Sequence, residues 1–245
     1  RRLADAGYRV LVPDQRGYNE SEKPSGVAAY RLPTLAADAA GLIEAVGEDR
    51  DAAHVVGHDW GAAVAWWLAL AHPERVETLA AVNVPHPTVM ARTLRRSWDQ
   101  RRRSWYMGFF QVPCLPELIA RAGNWRLFER SLRESSRSGT FDAADFERYR
   151  AAWGKPGAIT AMVNWYRAVA RYPLPERTEP VEPPTLVLWG AGDEFLRTEM
   201  ARESVAYCRD GRAVLFDDAT HWIHYEYPDR VADQLQEGFD RGPTP

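Results

Sequence analysis

The stretch Gly57-His58-Asp59-Trp60-Gly61 decides the fold of this chain. A short apolar run over residues 54–57 precedes it, which is typical of a strand buried on both faces of a parallel sheet. Residues 61–71 follow it and are apolar nearly all round, which predicts a buried helix. The flanking glycines permit a sharp strand-to-helix turn that raises the Asp59 side chain above the sheet edge. Either Asp59 carries chemistry there, or it only caps the helix, for which aspartate is a favoured residue.

Strand and helix patterns alternate around this turn. Strands are predicted over residues 8–13, 54–57 and 76–84, with helices over residues 32–46 and 61–71 between them. This β–α–β–α–β order is typical of a doubly wound parallel sheet.

The alternation then stops and later resumes. Residues 87–180 are rich in arginine and aromatic residues and are predicted to form several helices. Strands over residues 185–189 and 212–216 come after them, with helices over 197–208 and 229–239. The sequence therefore predicts an α/β core, residues 1–86 and 181–245, that is split by a helical insertion over residues 87–180.

Composition excludes several classes of protein. Of 245 residues, 45% are hydrophobic and 27% are charged, which excludes disorder and disulfide-stapled miniproteins. A net charge of −3 gives no electrostatic case for nucleic acid, and no apolar run is long enough to span a membrane. Cys114 and Cys208 predict free thiols in a reducing, cytoplasmic compartment. Residues 1–7 are predicted to be the end of a helix stopped by Gly7, so we expect a chain that lacks its first strands.

Two further residues follow predicted strands. Asp193 comes after the strand over residues 185–189, and His221 comes after the last strand. The carboxyl ends of parallel strands are where sites form in open α/β sheets. Taken singly, the first is also explained as a turn aspartate and the second as a loop histidine. Glu194 is the competing carboxylate, and His224 is the competing histidine.

At these residues the chain resembles the epoxide hydrolase branch of the α/β-hydrolase superfamily, over essentially its whole length. The order of acidic elbow, acid and histidine matches the order of nucleophile, acid and histidine in α/β hydrolases. The motifs that carry the resemblance are Gly57-His58-Asp59-Trp60-Gly61, Gly192-Asp193, Thr220-His221-Trp222 and Asn164-Trp165-Tyr166-Arg167.

The resemblance implies that the insertion is a lid in which two tyrosines hydrogen-bond the epoxide oxygen. Tyr166 matches one of them, and Tyr106, within Ser104-Trp105-Tyr106, matches the other. Tyr166 also falls on an apolar helical stripe, which agrees with this role, and the alternative interpretation is a core tyrosine of the lid. Tyr149 and Tyr172 are the competing candidates for the position of Tyr106.

Two features depart from the family pattern. The family has a His-Gly-x-Pro stretch, whose backbone forms part of the oxyanion hole, before the point where this chain begins; of that hole the N–H of Trp60 is present here. The loop over residues 14–21 resembles Asp-x-Arg-Gly-x-Gly-x-Ser, with Asn19 in place of the second glycine. Asparagine tolerates a left-handed backbone, so we expect the loop to keep its shape.

Aspartate in place of serine determines the expected chemistry. A carboxylate that attacks an sp³ carbon forms an ester that can then be cleaved, so the substrate is an epoxide or an alkyl halide. For an epoxide, Asp59 attacks, Tyr106 and Tyr166 support the oxygen, and His221, oriented by Asp193, activates water to release a vicinal diol. The alternatives are a haloalkane dehalogenase, with the Trp60 indole N–H on the halide, and an inactive fragment or ligand-binding relative.

The remaining expectations concern ligands and partners. The substrate is expected to be a small hydrophobic epoxide in a pocket formed by His58, Trp165 and Trp222. Neither a metal nor a cofactor is implied. The arginine cluster over residues 92–103 is interpreted as a solvated face of a lid helix rather than a nucleic-acid site. No membrane partner is expected, and a homodimer is left open.

Overall fold

The fold is built on one parallel sheet, in a computed structural model that describes residues 1–47 and 51–240. Its strands are adjacent in chain order: β1 (Ala53–His58), β2 (Val76–Val82), β3 (Thr185–Gly190) and β4 (Gly211–Phe216). The carboxyl ends of the strands therefore lie at one edge, and the loops that follow them converge there. The strands predicted over residues 54–57, 76–84, 185–189 and 212–216 are confirmed, with small differences at their ends.

Helices cover the sheet on both faces. Within the described residues the α-helices are α1 (Arg2–Asp5), α2 (Leu32–Val46), α3 (Trp60–Ala71), α4 (Pro87–Arg96), α5 (Trp98–Arg103), α6 (Trp105–Phe109), α7 (Leu115–Ala122), α8 (Arg126–Glu134), α9 (Ala143–Trp153), α10 (Ala158–Arg171), α11 (Glu199–Val205), α12 (Ile223–Glu226) and α13 (Pro228–Asp240). Short 3₁₀ turns occupy Val27–Tyr30 and Pro73–Arg75. The helix predicted over residues 197–208 is shorter, and the one over 32–46 has the predicted bounds.

Strand β3, which lies between β2 and β4, shows why an inner strand carries an apolar run. Val187 and Trp189 pack into the cluster that contains Trp66 of α3. Leu188, which points the other way, packs with Leu235 of α13. Because successive side chains of a strand alternate between faces, burial on both faces requires an unbroken apolar run. Strand β1, at the end of the described sheet, is only half-buried, with Val56 44% exposed, so burial on both faces was wrongly predicted for residues 54–57.

The strand predicted over residues 8–13 is not formed, and this prediction was wrong for the described structure. These residues belong to no strand, and the side chains of Val10, Leu11 and Val12 are 43%, 51% and 90% exposed. The alternation of β-branched residues favours an extended backbone, but a strand also needs a neighbour to hydrogen-bond with. Within the described residues β1 pairs with β2 alone, and no strand lies beside residues 8–13.

The chain between β2 and β3 is helical. Helices α4 to α10 lie there, and α10 packs against α2 and the turn Val27–Tyr30 of the sheet-bearing part. The indole N–H of Trp165 on α10 also donates to the carbonyl of Arg16, at 3.1 Å. Among the described helices, none combines the length and apolar character needed to cross a lipid bilayer.

Candidate active site

Asp59 occupies a sharp turn between β1 and α3. Its φ of 49° and ψ of −126° lie in a region that side chains other than glycine rarely adopt. The turn requires Gly57, because a Cβ there would lie 2.3 Å from the Gly61 carbonyl oxygen. The Asp59 side chain makes no capping hydrogen bond to α3, although the residue stands at the N-cap. The interpretation of Asp59 as a helix cap is therefore wrong.

The surroundings of the Asp59 carboxylate are both apolar and charged. Burial raises its pKa above the ordinary value for aspartate, and the nearby charge of Asp193 adds to this effect. His221 and a hydrogen bond from the Trp60 N–H act in the opposite direction. The Trp60 backbone donor thus faces the carboxylate, which is where the negative charge of a tetrahedral intermediate would develop.

Asp193 follows the end of β3, and both oxygens of its carboxylate accept hydrogen bonds. Its Oδ1 accepts the backbone N–H groups of Phe195 and Leu196, at 2.8 and 3.0 Å. Its Oδ2 accepts from His221 Nδ1 and from Asn83 Nδ2, both at 2.8 Å. Asp193 is 3% exposed, whereas the competing Glu194 is exposed. The acid that pairs with the histidine is Asp193.

His221 is oriented by that bond. A carboxylate can only accept, so Nδ1 carries the proton and Nε2 presents a lone pair. Burial alone lowers the pKa of His221, but the charge and hydrogen bond of Asp193 outweigh it and raise the pKa above the ordinary value. This combination suits a base that accepts a proton from water.

The other two histidines of this cluster have different positions. His58 donates from Nε2 to the backbone carbonyl of His221 at 2.9 Å, and this bond holds the loop that carries His221. The ring of His224 lies tilted by 49° against that of His58, with centroids 4.2 Å apart, and burial lowers the pKa of His224 to about 4. His224 therefore stays neutral and makes no bond to Asp193, so the choice of His221 over His224 agrees with the geometry.

The two predicted tyrosines meet above Asp59. Their rings lie edge to face with centroids 5.9 Å apart, and the Tyr166 ring lies 4.8 Å from that of Trp60. Burial, and then the charge of Asp59, raises the pKa of Tyr106 and that of Tyr166. Both hydroxyls therefore stay protonated and lie close enough to the Asp59 carboxylate to interact with its charge. Of their competitors, Tyr149 bonds to Tyr225 at 3.2 Å, and Tyr172 lies under the Arg31 guanidinium.

The predicted pocket residues have structural partners. His58 holds the His221 loop, as described above. Trp222 donates from its indole nitrogen to the Ser135 hydroxyl at 3.0 Å, which ties the same loop to the end of α8. Trp165 has no exposed surface, and its ring packs edge to face against that of Trp60, so its place in a substrate pocket stays a prediction.

Three residues were missed by the sequence reasoning. Asn83 follows β2 in a left-handed conformation, with φ of 54°, and donates to Asp193. Burial and the charge of Asp59 raise the pKa of Tyr18, which places a third tyrosine near the carboxylate. Gln100 on α5 is fully buried against the Asp193 loop. The position of Asn83 after a buried strand was the sequence signal that could have found it. For Tyr18 the signal was its place in the loop over residues 14–21.

The loop that carries Tyr18 keeps the expected shape. Asn19 has φ of 38°, a left-handed value, and its amide donates to the Asp14 carboxylate at 2.8 Å. The expectation that asparagine serves in place of glycine is therefore confirmed. In the part of the chain that the structure describes, no group of three or more histidine, cysteine or acidic side chains is arranged to hold a metal ion.

Comparison with known proteins points in the same direction. The family described as "alpha/beta hydrolase fold" matches residues 1–228. The chain is 43% identical to the AB hydrolase superfamily protein YfhM of Bacillus subtilis (strain 168), over 95% of this chain and 80% of that protein. It is 34% identical to epoxide hydrolase 2 of Caenorhabditis elegans, over 91% of this chain. It spans 64% of the length of that relative.

A solved structure supports the same likeness. The Bacillus megaterium epoxide hydrolase, solved in complex with an inhibitor, superimposes with a TM-score of 0.82 and 27% identity. The superposition covers 92% of this chain and 82% of that one.

Proposed function

The chain belongs to the epoxide hydrolase family of the α/β-hydrolase fold, and from that premise we propose that it converts an epoxide to a vicinal diol through an ester on Asp59. The observation that carries the proposal is the set of groups around the Asp59 carboxylate. Two protonated tyrosine hydroxyls of the helical segment and the Asp193–His221 pair at the sheet edge all lie close enough to interact electrostatically with it.

In the first step the Asp59 carboxylate attacks a ring carbon of the epoxide. A carbon–oxygen ester bond forms while the ring carbon–oxygen bond breaks, and the departing oxygen takes a proton from a tyrosine hydroxyl. Tyr106 and Tyr166 are the donors, and their raised pKa values keep them protonated at neutral pH. Their apolar surroundings fit a small hydrophobic epoxide.

In the second step His221 accepts a proton from water at Nε2, and the resulting hydroxide attacks the ester carbonyl of Asp59. The oxyanion of the tetrahedral intermediate accepts a hydrogen bond from the Trp60 N–H. Collapse of the intermediate breaks the ester bond, regenerates the carboxylate and releases the diol. The proton on His221 returns to the tyrosinate, so one water is consumed for each epoxide.

The helical segment serves as a lid in this scheme. We assign residues 87–180 to it, with residues 1–86 and 181–245 as the core, because both proton donors come from this segment while the nucleophile, acid and base come from loops at the sheet edge. Two free thiols, one of them exposed, fit the reducing environment of the cytoplasm, which we propose as the location.

A second function is favoured by one observation. The indole Nε1 of Trp60 is buried beside the Tyr166 side chain but makes no hydrogen bond of good geometry. A poorly paired buried donor costs free energy, and a halide ion would accept a hydrogen bond from it. In a haloalkane dehalogenase the same carboxylate would attack a carbon that bears the halogen, and Trp60 would hold the halide that leaves.

The experiment that separates the two functions uses His221→Gln in the full-length protein. Loss of the base blocks the second step but leaves Asp59 able to attack, so the ester should accumulate. Incubation with styrene oxide should add the mass of the whole epoxide, located on Asp59 by peptide mapping. A haloalkane should add only its alkyl group if the protein is a dehalogenase.

The controls follow from the competing residues. His224→Gln changes the competing histidine in the same way and should not accumulate ester, and the double variant with Asp59→Ala should gain no mass. An adduct on Glu194 or Cys114 would contradict the mechanism. A haloalkane adduct without an epoxide adduct would establish the second function, and no adduct from a folded protein would favour a ligand-binding relative.

A further inference from the structure

Helix α5 holds the loop of the triad acid through a buried glutamine. Gln100 is fully buried, although Arg101 and Arg102, which follow it on the helix, are exposed. Its Nε2 donates to the Phe195 carbonyl at 2.8 Å, and its Oε1 accepts the Arg197 N–H at 3.1 Å. The Gln100 amide thus pairs with both a carbonyl and an N–H of the loop backbone. These hydrogen bonds offset the free-energy cost of burying the amide.

Arg103, one turn further along α5, bonds to the same loop. Its guanidinium donates to the Asp193 carbonyl at 2.9 Å and to the Glu194 carbonyl at 3.4 Å. Its Nε is anchored on the Asp99 carboxylate at 2.9 Å. The carbonyl side of the loop is therefore bonded to α5, while its N–H groups at Phe195 and Leu196 hold the Asp193 carboxylate.

The same helix is connected to a proton donor. The second hydrogen of the Gln100 amide goes to the Ser104 hydroxyl at 2.9 Å, and Tyr106 lies two residues further on, in α6. The Phe195 ring lies edge-on between two groups of the mechanism, 5.9 Å from the Tyr106 ring and 5.2 Å from that of His221. The loop that positions the base is thus in contact with the donor.

We propose that Gln100 and Arg103 are positioning residues, a clamp that sets the proton donor Tyr106 and the Asp193–His221 pair at a fixed separation so that both steps use one substrate position. The proposal rests on the proposed function. Neither side chain touches the reacting atoms; both act through the backbone of residues 193–197. Because reacting groups displaced by 1 Å can lose about a hundredfold in rate, a loosened clamp should slow ester formation and ester hydrolysis together.

Arg103→Met is the main test, with Arg102→Met as its matched control. Arg102 is the preceding residue on the same helix and is exposed, so the control makes the same charge change away from the loop. Arg103→Met should lower the single-turnover rate constants of both steps by about tenfold to a hundredfold, whereas Arg102→Met should change neither. Arg103→Lys, which keeps one donor, should restore part of the loss, and Gln100→Leu should repeat it.

The acid limb of the hydrolysis pH profile separates positioning from a merely structural role. Burial lowers the pKa of His221, and Asp193 opposes that effect. If the Asp193–His221 bond is loosened, the His221 pKa should fall, so the acid limb should move to lower pH in Arg103→Met and not in Arg102→Met. Rate constants and an acid limb unchanged in a folded Arg103→Met protein would overturn the proposal, as would equal losses in both arginine variants.

A readout without substrate distinguishes this failure from failure of the proposed function. The titration of His221, followed by nuclear magnetic resonance, should shift to lower pH in Arg103→Met and remain in place in Arg102→Met. If the wild-type protein forms no ester from any epoxide, the proposed function fails while this titration still decides the clamp. An unshifted His221 titration would overturn the clamp even in an active enzyme.

Discussion

Replacing Gly190 by alanine should displace His221, the base of the second step, although the two residues are far apart in the sequence. Gly190 ends β3, and a Cβ added there would lie 2.0 Å from the Thr220 carbonyl oxygen and 2.7 Å from that of Ala219. Both obstacles are backbone atoms, so no side-chain rotation relieves the clash. Since real Cβ atoms stay at least about 3.0 Å from such atoms, the Thr220 carbonyl has to retreat by about 1 Å.

The consequence falls on the next residue, His221. Its Nδ1 lies 2.8 Å from Asp193 Oδ2, and a displacement of that size takes the pair beyond hydrogen-bond range. The lost charge-assisted bond costs about 1.5–3 kcal/mol, which corresponds to about tenfold to a hundredfold in rate. Ester formation depends on Asp59, which follows a different strand, and should change much less.

Single-turnover kinetics with the enzyme in excess over an epoxide measure both steps, with mass spectrometry recording how fast the Asp59 ester forms and decays. Gly41→Ala is the matched control, because a Cβ at Gly41 within α2 meets nothing within 4 Å. That variant should keep both rates and gain about 0.5–1 kcal/mol in free energy of unfolding. A folded Gly190→Ala protein whose ester decays at the wild-type rate would refute the reasoning.

Two further predictions test the donors and the buried histidines. Tyr166→Phe should lower the rate of ester formation by about tenfold to a thousandfold in stopped-flow measurements, and Tyr172→Phe should not; equal rates in both would remove Tyr166 from the mechanism. Burial lowers the pKa of His224 from 6.5 to about 4, so the unfolded chain binds a proton that the folded chain resists between those values. The free energy of unfolding should therefore have its full value, as far as His224 is concerned, above pH 6.5. It should fall by up to roughly 3 kcal/mol as the pH drops towards 4. Urea titrations should show His224→Gln with a shallower acid slope, and an unchanged slope would contradict burial as the cause.

The sequence by itself determined the elements whose signal is local. Glycine on both sides of Asp59, between an apolar run and an apolar helix, specifies the sharp turn, because a side chain at Gly57 would meet the backbone of α3. Asp193 was predicted because it follows a buried strand and His221 because it follows the last strand, and parallel strands bring such positions to one edge. These inferences need only backbone preference, burial pattern and chain order.

Only the tertiary structure decided which distant groups meet. Residues 8–13 have the composition of a strand, but the described structure places no strand beside them, so the same pattern leaves Val12 exposed. Gln100 bonds to Phe195, 95 positions away, and Asn83 bonds to Asp193, 110 positions away. Nothing next to Gln100 in the sequence marks it as buried, and the position of Asn83 after a buried strand does not identify its partner. A hydrogen bond depends on where its partner lies in space, and only the packing of the folded chain brings these side chains to the loop over residues 193–197.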